Sequence, residues 1–558
     1  MEFLSDEQAA AYGRFEGEPC RAELERCFFL DDADLALVAK RRGDYHRLGF
    51  ALQLGTVRFL GVFLSDPLRV PWSVVDYLSA QLGVVDASVV KRYTEREKTA
   101  YEHAWEISEA YGYRDFADPV AAVGLREFMD GRAWTHAEGP LALFGQAVAW
   151  SRRDRVLLPG VSVLARLVST VREAAAERMY RSLAEAAAGA DAALPYRLLG
   201  LLQVPDGQRI SELERLRRSP TRTSGRAMTT ALDRVSDALA VGARAAQVQA
   251  VPANRLAMLA RYGLTAKAPA LKDLAEPRRT ATLLAAARHL EAAAVDDALD
   301  LFDMLMTTRL ISAARRVSAA ERLAMMPRLE KASATLAAAA RALLEVLSAA
   351  GDGPVDVAAA WAAVETVAPR DQVVVAVAVV EELVPDDGAG EAAMREALAG
   401  KYNVVRPFLE LLAEVLPLQA TSAGAGLLRE VRRLPELARR RIKQKPLQPE
   451  DVDAGLIPQA WRRAVYLNRS LPAHAVDRDA YVLCVLMLLH RALRCRDIFA
   501  APSTRWVDPR AQLLDGPEWP GVRGEVLAGL GLADPVEQRR PRHHYRPPVP
   551  AYRGDPAR

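Results

Sequence analysis

Through most of the chain apolar residues recur three and four positions apart, with abundant Ala, Leu, Arg and Glu, and this spacing predicts helices. In TATLLAAARHLEAAAVDDALDLFDMLMTTRLI, residues 280–311, Leu283, Leu284, Leu290, Val295, Leu299, Phe302, Leu305 and Met306 form one apolar face. A single run breaks the period. VVVAVAVV, residues 373–380, is β-branched enough to suggest a strand, but no hairpin partner flanks it, and the reading favours a buried helix. The expected fold class is all-α.

Local punctuation sharpens one region, PWSVVDYLSAQLGVVDASVVKRYTEREKTAYEHAWEI, residues 71–107. Pro71 suits a helix start, Val74, Val75, Leu78 and Leu82 its apolar face, and Gly83 its end, while Asp86 suits the cap of a second helix, DASVVKRY. Two helices joined by a short turn containing Gly form a helix-turn-helix layout, whose second helix fits a major groove. On that helix Ser88, Lys91 and Arg92 are expected to be exposed and Val89, Val90 and Tyr93 to pack inward, with Arg96 and Lys98 just beyond. An ordinary helical hairpin with a solvated charged face fits the same pattern.

The length, 558 residues, implies three or four packed units at roughly 150 residues each. With 51% hydrophobic and 26% charged residues, real cores are affordable and global disorder is excluded. The formal charge is only +3, so an anionic partner must be met by local basic patches. Cys20, Cys27, Cys484 and Cys495 make neither a disulfide framework nor a zinc spacing, which suits a reducing, cytoplasmic setting. The acidic start MEFLSDEQAAAYGRFEG is unlike a signal peptide, and no stretch of about 18 uncharged apolar residues offers a membrane span.

Breaks are expected at GDGP (351–354), PDDGAG (385–390) and the Pro-spaced basic stretch 435–449, and the Arg/Pro-rich ending reads as a disordered tail.

Two further patches carry candidate chemistry. Arg215, Arg217, Arg218, Arg222 and Arg226 line a Ser/Thr/Gly-rich turn that feeds a helix, a combination that holds phosphates. In VRRLPELARRRIKQKP, residues 431–446, Arg439, Arg440, Arg441 and Lys443 belong to a run able to follow a nucleic-acid backbone. Both could equally be solvated charged segments. No GxxxxGKS/T, HExxH or GxSxG motif is present. His543 and His544 in the tail read as incidental, and His103 and His490 as packing or surface residues.

Five ordered blocks carry a resemblance: RLGFALQLGTVRFLGVFL (47–64), PWSVVDYLSAQLGV (71–84), EREKTAYEHAWEISEAYGYRDF (95–116), residues 259–311 and residues 477–516. They resemble the amino-terminal part of the Tn-three-type replicative transposases of class II bacterial transposons. The resemblance implies helical modules that bind double-stranded DNA at the terminal inverted repeats, a helical dimerisation region, and a separate RNase H-like domain whose three acids hold Mg²⁺. Expected divisions are a DNA-binding module over 1–170, a second over 171–345, a dimerisation and linker region over 346–535, and the tail 536–558.

No strand set places an acidic triad, so this chain is expected to hold no cofactor, with Mg²⁺ belonging to a missing catalytic domain. The expectation is an end-binding protein, either truncated by a frameshift or a short paralogue, that forms a homodimer or pairs with a full-length transposase as an accessory or inhibitory subunit. Whether it is itself an enzyme stays open, and a helical protein-interaction scaffold is the alternative.

Overall fold

The computed structural model describes residues 3–350, 354–383, 389–439, 447–466, 475–513, 517 and 519–523. Helices dominate them, as the apolar period predicts, and the two strands are three residues each. The tail 536–558 with His543 and His544 lies outside the described residues, as do Arg440, Arg441 and Lys443.

The chain divides into two compact units, one of residues 1–221 and 233–294, the other of 222–232 and 295–558. In the first, the Asp44–Leu60 helix is the core element, with every residue from Leu48 to Val57 buried. Burial on all sides requires neighbours on all sides, and the Trp72–Leu82, Ala87–Thr94 and Glu97–Tyr111 helices supply them. Two glycines let aromatic rings reach the helix backbone. A Cβ at Gly49 would lie 2.2 Å from the Tyr93 ring, and one at Gly55 would lie 2.2 Å from that of Phe28. A second core joins the Pro119–Thr135, Pro140–Arg153 and Val161–Ala190 helices through Leu125, Met129, Phe144, Leu164 and Val168.

Beside Tyr93, burial, with Arg41 and His46 nearby, pushes the His103 imidazole down to about 4. Its Nδ1 lies 2.9 Å from the Tyr93 hydroxyl, which also accepts a hydrogen bond from Gln53 Nε2 at 2.7 Å.

The second unit contains the Ser312–Ala350 helix, which follows a π-helical turn over Leu305–Ile311 and is flanked by the Val357–Val367, Arg370–Leu383 and Ala389–Ala399 helices. The eight residues expected on one apolar face between 283 and 306 are all buried. Run 373–380 is helical, as expected, but not buried: Val374, Val375 and Val377 are exposed and only Ala376 is sealed. Its β-branched residues point all round the helix, and the neighbouring helices cover one side only.

One helical run, 278–349, contains an 18-residue window apolar enough by composition to cross a membrane, counting up to two charged residues. The expectation of no such segment rested on a count of uncharged residues. The core helix of a soluble protein meets the same criterion, so composition alone assigns no span here.

The Ala425–Arg439 and Arg478–Cys495 helices complete the second unit, with an antiparallel pair of strands in which Gln419 faces Phe499. One buried carboxylate ties these late elements down. Asp296 accepts from the Ser503 hydroxyl, from the Thr504 hydroxyl at 2.5 Å, and from the backbone N–H groups of Thr504 and Arg505 at 3.2 Å. The Arg505 guanidinium adds an ion pair to Asp300 at 2.5 Å, and the Trp506 indole donates to Asp300 at 2.7 Å.

Replacing Asp296 by Ala leaves several donors unbonded and should cost the second unit about 3 kcal/mol, read from denaturant unfolding followed by hydrogen exchange in residues 478–495. An unchanged midpoint there would contradict this role. The first unit should also lose stability as pH falls. The His103 value lies below that of unfolded histidine, so its contribution is present above about pH 6.5 and is lost as pH drops toward about 4. His103→Gln should flatten that part of the pH profile, measured by hydrogen exchange of residues 44–60.

Candidate nucleic-acid interface

The expected two-element motif begins as its sequence suggests. Pro71 is the cap of the Trp72–Leu82 helix, Gly83 ends it in the left-handed conformation, and Val74, Val75, Leu78 and Leu82 are buried. The Asp86 side chain then accepts from Ser88 N at 3.0 Å. The second element, Ala87–Thr94, turns by 106° from the first, an angle within the helix-turn-helix range.

Here the structure corrects the expectation, because the second element is a 3₁₀-helix and not an α-helix. With three residues per turn, positions three apart eclipse. Ala87, Val90 and Tyr93 therefore form the inward edge, while Ser88, Lys91 and Thr94 form an exposed one. Val89, expected inward, is partly buried against the same core.

All five polar residues proposed from the sequence in this stretch are exposed. Arg92 pairs with Glu95 at 3.3 Å and sits over the Tyr45 ring at 4.8 Å, and Lys98 lies 3.6 Å from Glu102. Such exposed pairs are weak and exchange readily for a phosphate. Lys91 and Arg96 form no ion pair among the described residues.

Two residues of this surface were missed. Tyr101 and Trp105 follow Lys98 at i+3 and i+7 on the Glu97–Tyr111 helix and are both about 70% exposed. Helical spacing from Lys98 would have found them.

The second patch separates. Arg215 is held by Glu212 at 2.6 Å and Asp237 at 2.8 Å. Arg217 is drawn inward, where it pairs with Glu214 at 3.1 Å and donates to the carbonyls of Gly263 at 2.5 Å and Ala266 at 2.8 Å. Those carbonyls end the Ala253–Thr265 helix, so Arg217 acts as a terminal cap and its guanidinium is mostly turned from solvent. Arg218 in the first unit is exposed without an ion pair among the described residues, as are Arg222 and Arg226 in the second.

In the third patch, Arg439 is exposed but paired with Glu410 and Glu414, while Arg440, Arg441 and Lys443 lie outside the described residues. Among the described residues no group of three or more His, Cys, Asp or Glu is arranged to hold a metal ion.

A family described as a domain of unknown function, DUF4158, matches residues 3–171, which contain the 106° element pair. The transposase for transposon gamma-delta of Escherichia coli (strain K12) is 34% identical over 547 residues, which is 97% of this chain and 52% of the relative. The transposase for transposon Tn4556 of Streptomyces fradiae is 42% identical over 339 residues, 59% of this chain and 38% of the relative. That for transposon Tn501 of Pseudomonas aeruginosa is 29% identical over 510 residues, 91% of this chain and 49% of the relative. The chain spans about half the length of the curated relatives it matches, and it is a homologue of the Tn-three-type transposases.

Proposed function

We propose that this chain is the end-recognising portion of a transposition protein, gripping double-stranded DNA at terminal inverted repeats. The observation that carries the reading is the exposed edge of the 87–94 element. Ser88, Lys91 and Arg92 stand on a short segment bent sharply from its neighbour and anchored by a sealed tyrosine. Arg96 and Lys98 extend the positive surface toward the exposed Tyr101 and Trp105. Ser88 and the cations supply groove and backbone contacts, and Arg218, Arg222 and Arg226 supply further phosphate contacts within their own units.

Self-association belongs to the same reading. The Val357–Val367 and Arg370–Leu383 helices leave Val357, Val367, Val374, Val375 and Val377 in water, an apolar surface of the kind that homodimers or mixed dimers with a longer transposase cover.

A gel-shift series using the inverted repeat that flanks the gene against a scrambled duplex, at several salt concentrations, tests the DNA reading. Preference for the repeat is expected, and Lys91→Ala with Arg96→Ala should lower the salt slope by about one per lost phosphate contact. Equal affinity for both duplexes would reject end recognition. Replacing Val374 and Val375 by Glu should weaken self-association about tenfold or more in sedimentation equilibrium. An unchanged dissociation constant would remove this face from the interface.

A further inference from the structure

A cavity of about 160 Å³ lies within the first unit, lined by Arg132, His136, Glu138, Arg172, Tyr180 and Arg255 among others. Its walls come from the end of the Pro119–Thr135 helix, the turn after it, the middle of Val161–Ala190 and the start of Ala253–Thr265.

Arg255 is the unusual member, a guanidinium only 6% exposed. It donates through Nη1 to the carbonyl of Ala133, and Asn254 donates to that of Thr135 at 2.8 Å, so the pair caps the Pro119–Thr135 helix. The guanidinium also lies over the Trp134 ring at 5.9 Å, and it has no carboxylate partner among the described residues. The Nε–H has no hydrogen-bond partner, and the carboxylate on the cavity wall, Glu138, is taken by Arg132 in a two-pronged contact at 3.2 and 2.8 Å. Two further arginines, Arg172 and Arg178, act on Arg255. Arg172 lines the same cavity, is half-buried and forms no ion pair or hydrogen bond among the described residues, and Arg178 stacks on Trp134 at 4.3 Å beside it. Burial disfavours the charge on Arg255, Tyr180 opposes that effect, and Arg172 and Arg178 add to it.

A buried cation without a counter-charge is costly, and proteins pair such groups. Two arginines lining a cavity of this size match a tetrahedral oxyanion, to which planar N–H forks bond strongly. We propose that Arg172 and Arg255 form a phosphate-binding pocket, receiving either a phosphodiester of a nucleic-acid backbone or free phosphate. None of the lining residues belongs to the 87–98 surface, and Glu138 tunes the pocket by holding Arg132.

Arg172→Gln tests the pocket, because Arg172 bears no internal bond and its loss should leave the fold intact, whereas Arg255 is also a cap. With the full chain, inorganic phosphate at constant ionic strength should broaden its own phosphorus-31 resonance and raise the melting temperature. In Arg172→Gln the phosphate affinity should fall about tenfold or more. In parallel, duplex affinity and its salt slope are measured for the same variant.

Loss of phosphate binding together with a slope lowered by about one identifies the backbone phosphodiester as the source. Loss of phosphate binding with an unchanged slope identifies the free anion. If the chain binds no duplex at all but phosphate binding still depends on Arg172, the pocket stands and the end-recognition reading falls. Wild-type chain that ignores phosphate and a variant that binds duplex as wild type does would together overturn the proposal, leaving Arg255 as a helix cap alone.

Discussion

The seating of the Tyr93 ring on the bare backbone of Gly49 is the constraint on which the candidate surface depends. The ring is wholly buried and held at its hydroxyl end by Gln53 and His103. A 3₁₀ segment of eight residues has poor internal hydrogen bonding and little stability of its own. Its shape is therefore imposed from below, by Tyr93 and Val90 entering a core built on the Asp44–Leu60 helix. Position 49 must lack a side chain for this to happen, and what is exposed at 88 and 91 follows from what is buried at 90 and 93.

The fate of the arginines shows a second principle, that charge in a sequence and charge available to a partner are different quantities. Arg215 and Arg217 stand beside Arg218 in the chain, yet the first two are neutralised or drawn to carbonyls while the third stays in water. The same logic in reverse marks Arg255, which no local pattern distinguishes from dozens of other arginines. Its character comes from meeting the end of a helix more than a hundred residues earlier while Glu138 on the cavity wall is already bound by Arg132.

Much of the architecture was legible because helical period and capping residues are local. The apolar face between 283 and 306, the start at Pro71, the left-handed Gly83 and the Asp86 cap all depend on neighbours within a few positions. Three features were not legible in the same way. The 87–94 element differs from an α-helix only in spacing its buried residues strictly by three, too subtle a signal over eight positions. The valine run 373–380 disclosed its conformation but not its exposure, since exposure depends on which side other helices cover. The partners of Arg217, at 263 and 266, lie 46 and 49 positions away, beyond any pattern centred on residue 217.

The Asp296 clamp bears on how the protein is made. Its ligands at 503–505 follow it by more than 200 residues. During synthesis the carboxylate emerges from the ribosome long before they do, and at roughly 5–20 residues per second it waits on the order of ten seconds or more. The first unit has by then left the tunnel with its own core complete in sequence, whereas the second must remain open at this point. Vectorial synthesis thus sets an order in which the earlier unit closes first and the later one waits for residues 503–505.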